Sequence, residues 1–247
     1  MLNLSQKWTI ESTRLTGFSS QAQPQSAQDI NAWIKAVTNQ DAIATHQTAL
    51  SVKATGVLEE GILVDFASIP HRTDWFFRPQ VMVPKVVDGI APFEKIGKCL
   101  KRYALALEHL GEWPHANRLA VGFSLVLEVE SMKAAQAIWM EVLGEAISGG
   151  LEATDLIYRI NRPTHFSRGP MVNKLITYQT NLISLMKIPQ TLSEAAFNAA
   201  PEASGIVCRV DFDINTDANT PLNFDSRSQV KMIGKLIKTA LSDFEIR

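Results

Sequence analysis

The sequence is short of several things, and each shortage excludes a class of protein. Cysteine occurs only at Cys99 and Cys208, too few for the disulfide framework of a small secreted domain, which points to a reducing, cytoplasmic setting. No apolar run approaches the roughly 18 residues that a membrane-crossing helix needs. The opening MLNLSQKWTIESTRL lacks the apolar centre of a secretory signal, so no membrane association is expected. A glycine-rich phosphate loop, HExxH and paired CxxC are all missing. GFSLV at 122–126 is not a nucleophile elbow, because the glycine after Ser124 is absent. The sequence therefore assigns no catalytic residue, no metal ligand and no cofactor. An excess of one charge is lacking too: 24 Lys and Arg against 25 Asp and Glu exclude a uniformly basic nucleic-acid binder.

What remains is a chain built to fold. With 46% apolar and 20% charged residues over 247 positions it can bury a sizeable core without staples. Ser26 and Asp29 form a capping-box start, followed by Ile30, Trp33, Ile34 and Val37 at helical spacing. A second helix is expected from Pro92, with Phe93, Ile96, Leu100, Tyr103, Leu107 and Leu110 inward and Gly111 as its stop. Ser131 caps a third, with Ala135, Ile138, Trp139, Val142 and Ile147 inward, and the last follows Asp225 with Val230, Ile233, Ile237, Leu241 and Phe244 inward. Alternation marks strands instead: Ile206, Cys208, Val210, Phe212 and Ile214 point one way, and Arg209, Asp211 and Asp213 the other. FSLVLEVE from Phe123 alternates likewise. Further strands are expected near 8–18, 48–57, 61–68, 78–84, 155–162 and 175–186.

Four echoes join the halves in the same order: GFS at Gly17 and Gly122, a helix tryptophan at Trp33 and Trp139, VDF at Val64 and Val210, and IGK at Ile96 and Ile233. They predict an α+β fold made by internal duplication of a strand-helix-strands-helix unit, residues 1–113 and 114–247, packed about a pseudo-two-fold axis. The expected sheet is antiparallel, with helices on one face and a polar open face. Its element order resembles that of the TATA-binding-protein family, an analogy of architecture with no functional weight of its own.

Chemistry-bearing residues gather in one place. Between Asp155 and Glu194 there is no carboxylate, yet Arg159, Arg162, Arg168, Lys174 and Lys187 fall there, with His165 as a sixth candidate cation. Uncompensated charge of this kind either binds an anion or pairs across strands, Arg159 and Arg209 with Asp211 and Asp213. The candidate binding set is Arg159, Asn161, Arg162, His165, Arg168, Lys174, Arg209, Asp211 and Asp213. His109, Glu112 and His115 are metal-ligand types, but Gly111 and Pro114 interrupt the helix that would aim them at one point, so they read as a solvated helix end. Arg227, Lys231, Lys235 and Lys238 read as the wet side of the last helix. DWFFRP from Asp74 places three aromatics in a row, to be divided between the core and an exposed knob.

The central RLAVGFS, the RVDFDIN strand and the terminal DFEIR together resemble a sporadically distributed bacterial family of about 250 residues, through Arg118, Leu119, Gly122, Asp211, Asp213, Phe244 and Glu245. That family has no assigned function, so the resemblance carries over no catalytic residue. The expectation is a non-catalytic interaction or adaptor protein that meets a protein partner through the open sheet face and the basic loop, with a homo-oligomer left open. The alternative is a nucleic-acid- or nucleotide-binding protein, extending to metal-dependent phosphoryl transfer with Asp211 and Asp213 as its paired carboxylates.

Overall fold

The computed structural model describes residues 8–20, 26–58, 61–80, 86–87, 89–92, 95–108, 116–144, 156–166, 169–185, 203–219 and 225–242. Strand β1 (Thr9–Phe18) leads into helix α1 (Ala27–Thr38), then β2 (Ala44–Gln47), β3 (Val52–Leu58), β4 (Ile62–Ile69), β5 (Arg72–Pro79), the two-residue β6 (Ala91–Pro92) and α2 (Ile96–Glu108). The chain continues through β7 (Arg118–Val129), α3 (Met132–Leu143), β8 (Ile157–Asn161), β9 (Thr164–His165), β10 (Met171–Leu185), β11 (Ala203–Thr216) and α4 (Ser226–Leu241). The fold is thus mixed α/β, with one large antiparallel sheet and, among the described residues, four helices. Among the described residues no helix is long and apolar enough to cross a membrane.

The strand order is β2-β3-β4-β5-β1-β7-β11-β10-β8, with β6 paired to β1 and β9 to β10. Every pairing is antiparallel. Side chains on a strand alternate between faces, so the register decides what each face carries. One face is the core: Leu15, Val64, Phe66, Trp75, Phe77, Val121, Leu125, Cys208, Val210 and Ile214 are all buried. The helices cover that side. Trp33 of α1 meets Phe66 of β4 edge-on at 5.3 Å, and Phe66 meets Trp75 at 4.6 Å. Trp139 of α3 meets Tyr178 of β10 edge-on at 5.9 Å, and its indole N–H donates to Thr180 Oγ1 at 2.8 Å.

The helix starts follow from their caps. Ser26 accepts the backbone N–H of Asp29, whose carboxylate reaches back to the Ser26 N–H, the reciprocal pair read from the sequence. Hydrogen bonds from Ser26 hold the Asp29 carboxyl below its ordinary pKa. Ser131 accepts the Ala134 N–H at the start of α3, and Asp225 the Ser228 N–H at the start of α4.

Several expectations need correction. Of the strand placed at 78–84, residues 78 and 79 close β5 (Arg72–Pro79) and 81–84 lie outside the described residues; in β5 Thr73, Trp75 and Phe77 alternate inward, so Trp75 and Phe77 are core and Phe76 faces the open side. Of the strand expected at 48–57, β3 starts only at Val52, and 48–51 form the turn from β2, in which the Thr48 hydroxyl accepts the Ser51 N–H at 3.0 Å. The helix expected from Pro92 begins at Ile96, because Ala91 and Pro92 pair with Ile10 and Thr9 instead. The buried stripe of α4 is Met232, Ile233, Leu236, Ile237 and Ala240, rotated from the expected one; half-buried Val230 and Leu241 sit at its margin. Tyr103 and Leu107 on α2, Phe93, Leu110, Gly111, Ile147 and Phe244 lie outside the described side chains.

Of the four echoes, Trp33 lies on α1, which follows β1, and Trp139 on α3, which follows β7, and Ile96 and Ile233 are both buried helix residues. The other two fall out of step. Gly17 faces Ala116 and Leu119 on the core side, whereas Gly122 faces Arg14 on the open side. VDF lies on β4, three strands out from the centre on one side, and on β11, two out on the other.

Candidate functional site

The open face is laid out in rows fixed by register. One runs Thr55, Asp65, Phe76, Arg14, Gly122, Asp213, Leu175, Asn161 across β3, β4, β5, β1, β7, β11, β10 and β8. Beside it Ser12, Ser124, Asp211, Thr177 and Arg159 cross the right half of the sheet. A β-bulge between Ile10 and Ser12 brings Glu11 into this side, next to Arg209.

These rows enclose a groove of about 740 Å³, lined by Glu11, Arg14, Arg78, Ser124, Arg159, Thr177, Arg209, Asp211 and Asp213, with Phe76, Val86, Leu175 and Ile183 as its apolar patches. Val86 lies over Gly205, where a Cβ would come within 2.5 Å of Val86 Cγ1; the glycine makes room for that segment at the end of the groove. Arg14 passes over Gly122 in a similar way. A Cβ on Gly122 would lie 3.2 Å from the Phe212 carbonyl oxygen and 3.5 Å from Arg14 Nη2.

Charge on the face is organised into ion pairs, some across strands and some along one strand. Arg209 reaches Glu11 at 2.7 Å and Asp211 at 2.9 Å. Asp211 also accepts the Ser124 hydroxyl at 2.6 Å and the Gln179 amide at 3.0 Å. Arg14 reaches Asp213 at 3.3 Å, and Asn215 donates to the same carboxylate at 2.9 Å. Arg78 holds Asp65 and Arg72 holds Asp74. Arg118 lies 4.5 Å over the Phe18 ring and donates to Asn215 Oδ1 at 3.0 Å. These side chains are roughly a third exposed, so each pair contributes only about 0–1 kcal/mol in water, and their main effect is to fix the surface pattern. Burial raises the Glu11 carboxyl above its ordinary value of 4.5; the Arg209 guanidinium opposes that shift and the Asp211 charge adds to it.

The candidate binding residues separate on this map. Arg159, Arg209, Asp211 and Asp213 come together in the groove. Asn161 lies at its outer edge, donating to Asn173 Oδ1 at 3.3 Å. Arg162 and His165 are exposed beyond the end of β8, with the Arg162 N–H bonded to the Lys174 carbonyl. Lys174 is 7% exposed and alternates with Val172 and Ile176 on the helix side, so it belongs to the core face and not to the groove. Arg168 and Lys187 lie outside the described residues, as does the His109, Glu112, His115 cluster. Asp211 and Asp213 are engaged by guanidinium groups, and among the described residues no group of three His, Cys, Asp or Glu could hold a metal ion.

Sequence reasoning missed the contribution of the amino-terminal half: Glu11, Arg14, Phe76 and Arg78 line the same groove. The alternation of β5 was a usable signal, since Arg72, Asp74, Phe76 and Arg78 all share one parity. β1 offered none, because its bulge switches the buried positions from Ile10 to Thr13 and Leu15. Comparison with models of known families, with curated proteins and with solved structures found no match.

Proposed function

We propose that this chain is a non-catalytic interaction protein that receives a segment of a partner protein in the groove on its open sheet face. The observation that carries the reading is the groove's composition: guanidinium and carboxylate groups interspersed around about 740 Å³ of open space, with Phe76, Leu175 and Ile183 as apolar contacts. Such a surface specifies a partner by charge pattern and offers it aromatic and aliphatic anchorage. It suits a polypeptide better than a nucleic acid, because Glu11, Asp211 and Asp213 would meet a phosphate backbone with repulsion.

The reading includes the duplication of a unit spanning 1–113 and 114–247, with an element order like that of the TATA-binding-protein family. Three observations support it. Outward from adjacent β1 and β7 come β5, β4, β3, β2 on one side and β11, β10, β8 on the other. Each central strand leads to a serine-capped helix, and each of those helices sets a tryptophan edge-on against a ring of the third strand from the middle. Of the residues on which the resemblance to the bacterial family rests, Arg118, Gly122, Asp211 and Asp213 face the open side, Leu119 faces the core, and Phe244 and Glu245 lie outside the described residues.

Affinity capture from cell extract, alongside oligonucleotide binding followed through a salt titration, tests the assignment. The reading expects a protein captured in fixed proportion and weak oligonucleotide binding. Tight oligonucleotide binding that falls steeply between about 50 and 200 mM salt, as phosphate contacts require, would replace it with the nucleic-acid alternative.

A further inference from the structure

We propose that the groove is a carboxylate site, in which Arg159 pairs with one acidic side chain of the partner segment; this rests on the docking reading above and names the chemistry that docks. Four guanidinium groups line the groove against three carboxylates. Arg14 is taken by Asp213, Arg209 by Glu11 and Asp211, and Arg78 by Asp65. Arg159 alone of the four has no ion pair and no side-chain hydrogen bond among the described residues. Its strand neighbour on the open face is Thr177, and beyond Thr177 stands Asp211, already bonded by Arg209, Ser124 and Gln179.

Arg159 is therefore the one lining guanidinium left without a partner among the described residues, and a guanidinium is the group that matches a carboxylate through two parallel N–H bonds. A carboxylate brings one charge to meet that of Arg159, whereas a phosphate dianion brings about twice as much against Glu11, Asp211 and Asp213. Leu175 lies in the adjoining row on β10, the strand next to Arg159, so an apolar residue flanking the acidic one has a surface to rest on.

The probes are amidated, acetylated pentapeptides Ala-Leu-Glu-Leu-Ala, its Gln counterpart and its phosphoserine counterpart, titrated by calorimetry into the full chain and into Arg159→Gln. The site predicts that the Glu peptide binds at least about tenfold tighter than the Gln peptide, from one charge-assisted pair. In Arg159→Gln that preference disappears while the melting temperature is unchanged. Equal affinity for Glu and Gln, absence of binding by all three, a preference that survives in Arg159→Gln, or tightest binding by phosphoserine each overturns the carboxylate site. The wider docking reading fails separately. If a captured partner is retained by Arg159→Gln but lost on Phe76→Asp, docking stands and the carboxylate site falls; if both variants retain it, docking at this groove falls as well.

Discussion

Arg14 on β1 reaches across the intervening strand β7 to Asp213 on β11, at 3.3 Å, and it can do so because the residue beneath it is Gly122. With the Arg209–Glu11 pair, which also spans β7, it ties the two halves of the sheet together on their open side. Replacing Gly122 by Val forces a branched side chain against the Phe212 carbonyl and Arg14. The expected loss is about 1–3 kcal/mol of unfolding free energy in urea titration. Asp213→Asn, which removes the charge and leaves the space, is expected to cost no more than about 1 kcal/mol, because the pair is partly exposed.

Glu11 gives the fold a pH signature of defined sign. Its pKa is raised in the folded protein, chiefly by burial, so the native state binds its proton more tightly than the unfolded chain does. The stability linked to that proton is full below about pH 4.5 and is lost as pH rises through the folded value. Glu11→Gln should therefore be at least as stable as the parent at pH 7, with the difference shrinking toward pH 4. A Gln variant markedly less stable at pH 7 would show that the Arg209 contact outweighs burial.

The two thiols should differ sharply in reactivity. Burial pushes the Cys208 thiol up to about 12, and its side chain faces the helix-covered side of β11, while Cys99 on α2 is half-buried. A thiol reagent at pH 8 should label Cys99 in the native protein and reach Cys208 only on unfolding. Peptide mapping of the labelled protein checks the order.

The Trp139 indole, 1% exposed, has its N–H satisfied by Thr180 Oγ1. Thr180→Val keeps the shape and removes the acceptor, leaving a buried donor unpaired. The expected loss is about 1–3 kcal/mol, measured by chemical denaturation.

Much of this architecture was legible because local chemistry and tertiary role agree. Ser26, Ser131 and Asp225 announce three helices and cap them, and the alternation of β11 divides Cys208, Val210 and Ile214 from Arg209, Asp211 and Asp213 as the sheet does. Illegibility has physical causes too. The bulge after Ile10 breaks the period of β1, which hid Glu11 and Arg14 from the site. The basic stretch around Arg159 lacks carboxylates only along the chain, since the sheet sets Asp211 one strand beyond Thr177. Lys174 shares that stretch but has the other parity, and alternation alone removes it from the groove. The GFS echo failed for the same reason, one residue of offset placing Gly17 and Gly122 on opposite faces.

The central claim is that the open face, and not the helical side, meets the partner. It is tested most directly by calorimetric titration of the captured partner into three proteins of equal thermal stability: the parent chain, Arg159→Glu in the groove, and Lys231→Glu on the exposed side of α4. The account predicts that Arg159→Glu abolishes binding and Lys231→Glu leaves it unchanged. Binding that survives in Arg159→Glu and is lost in Lys231→Glu would contradict it.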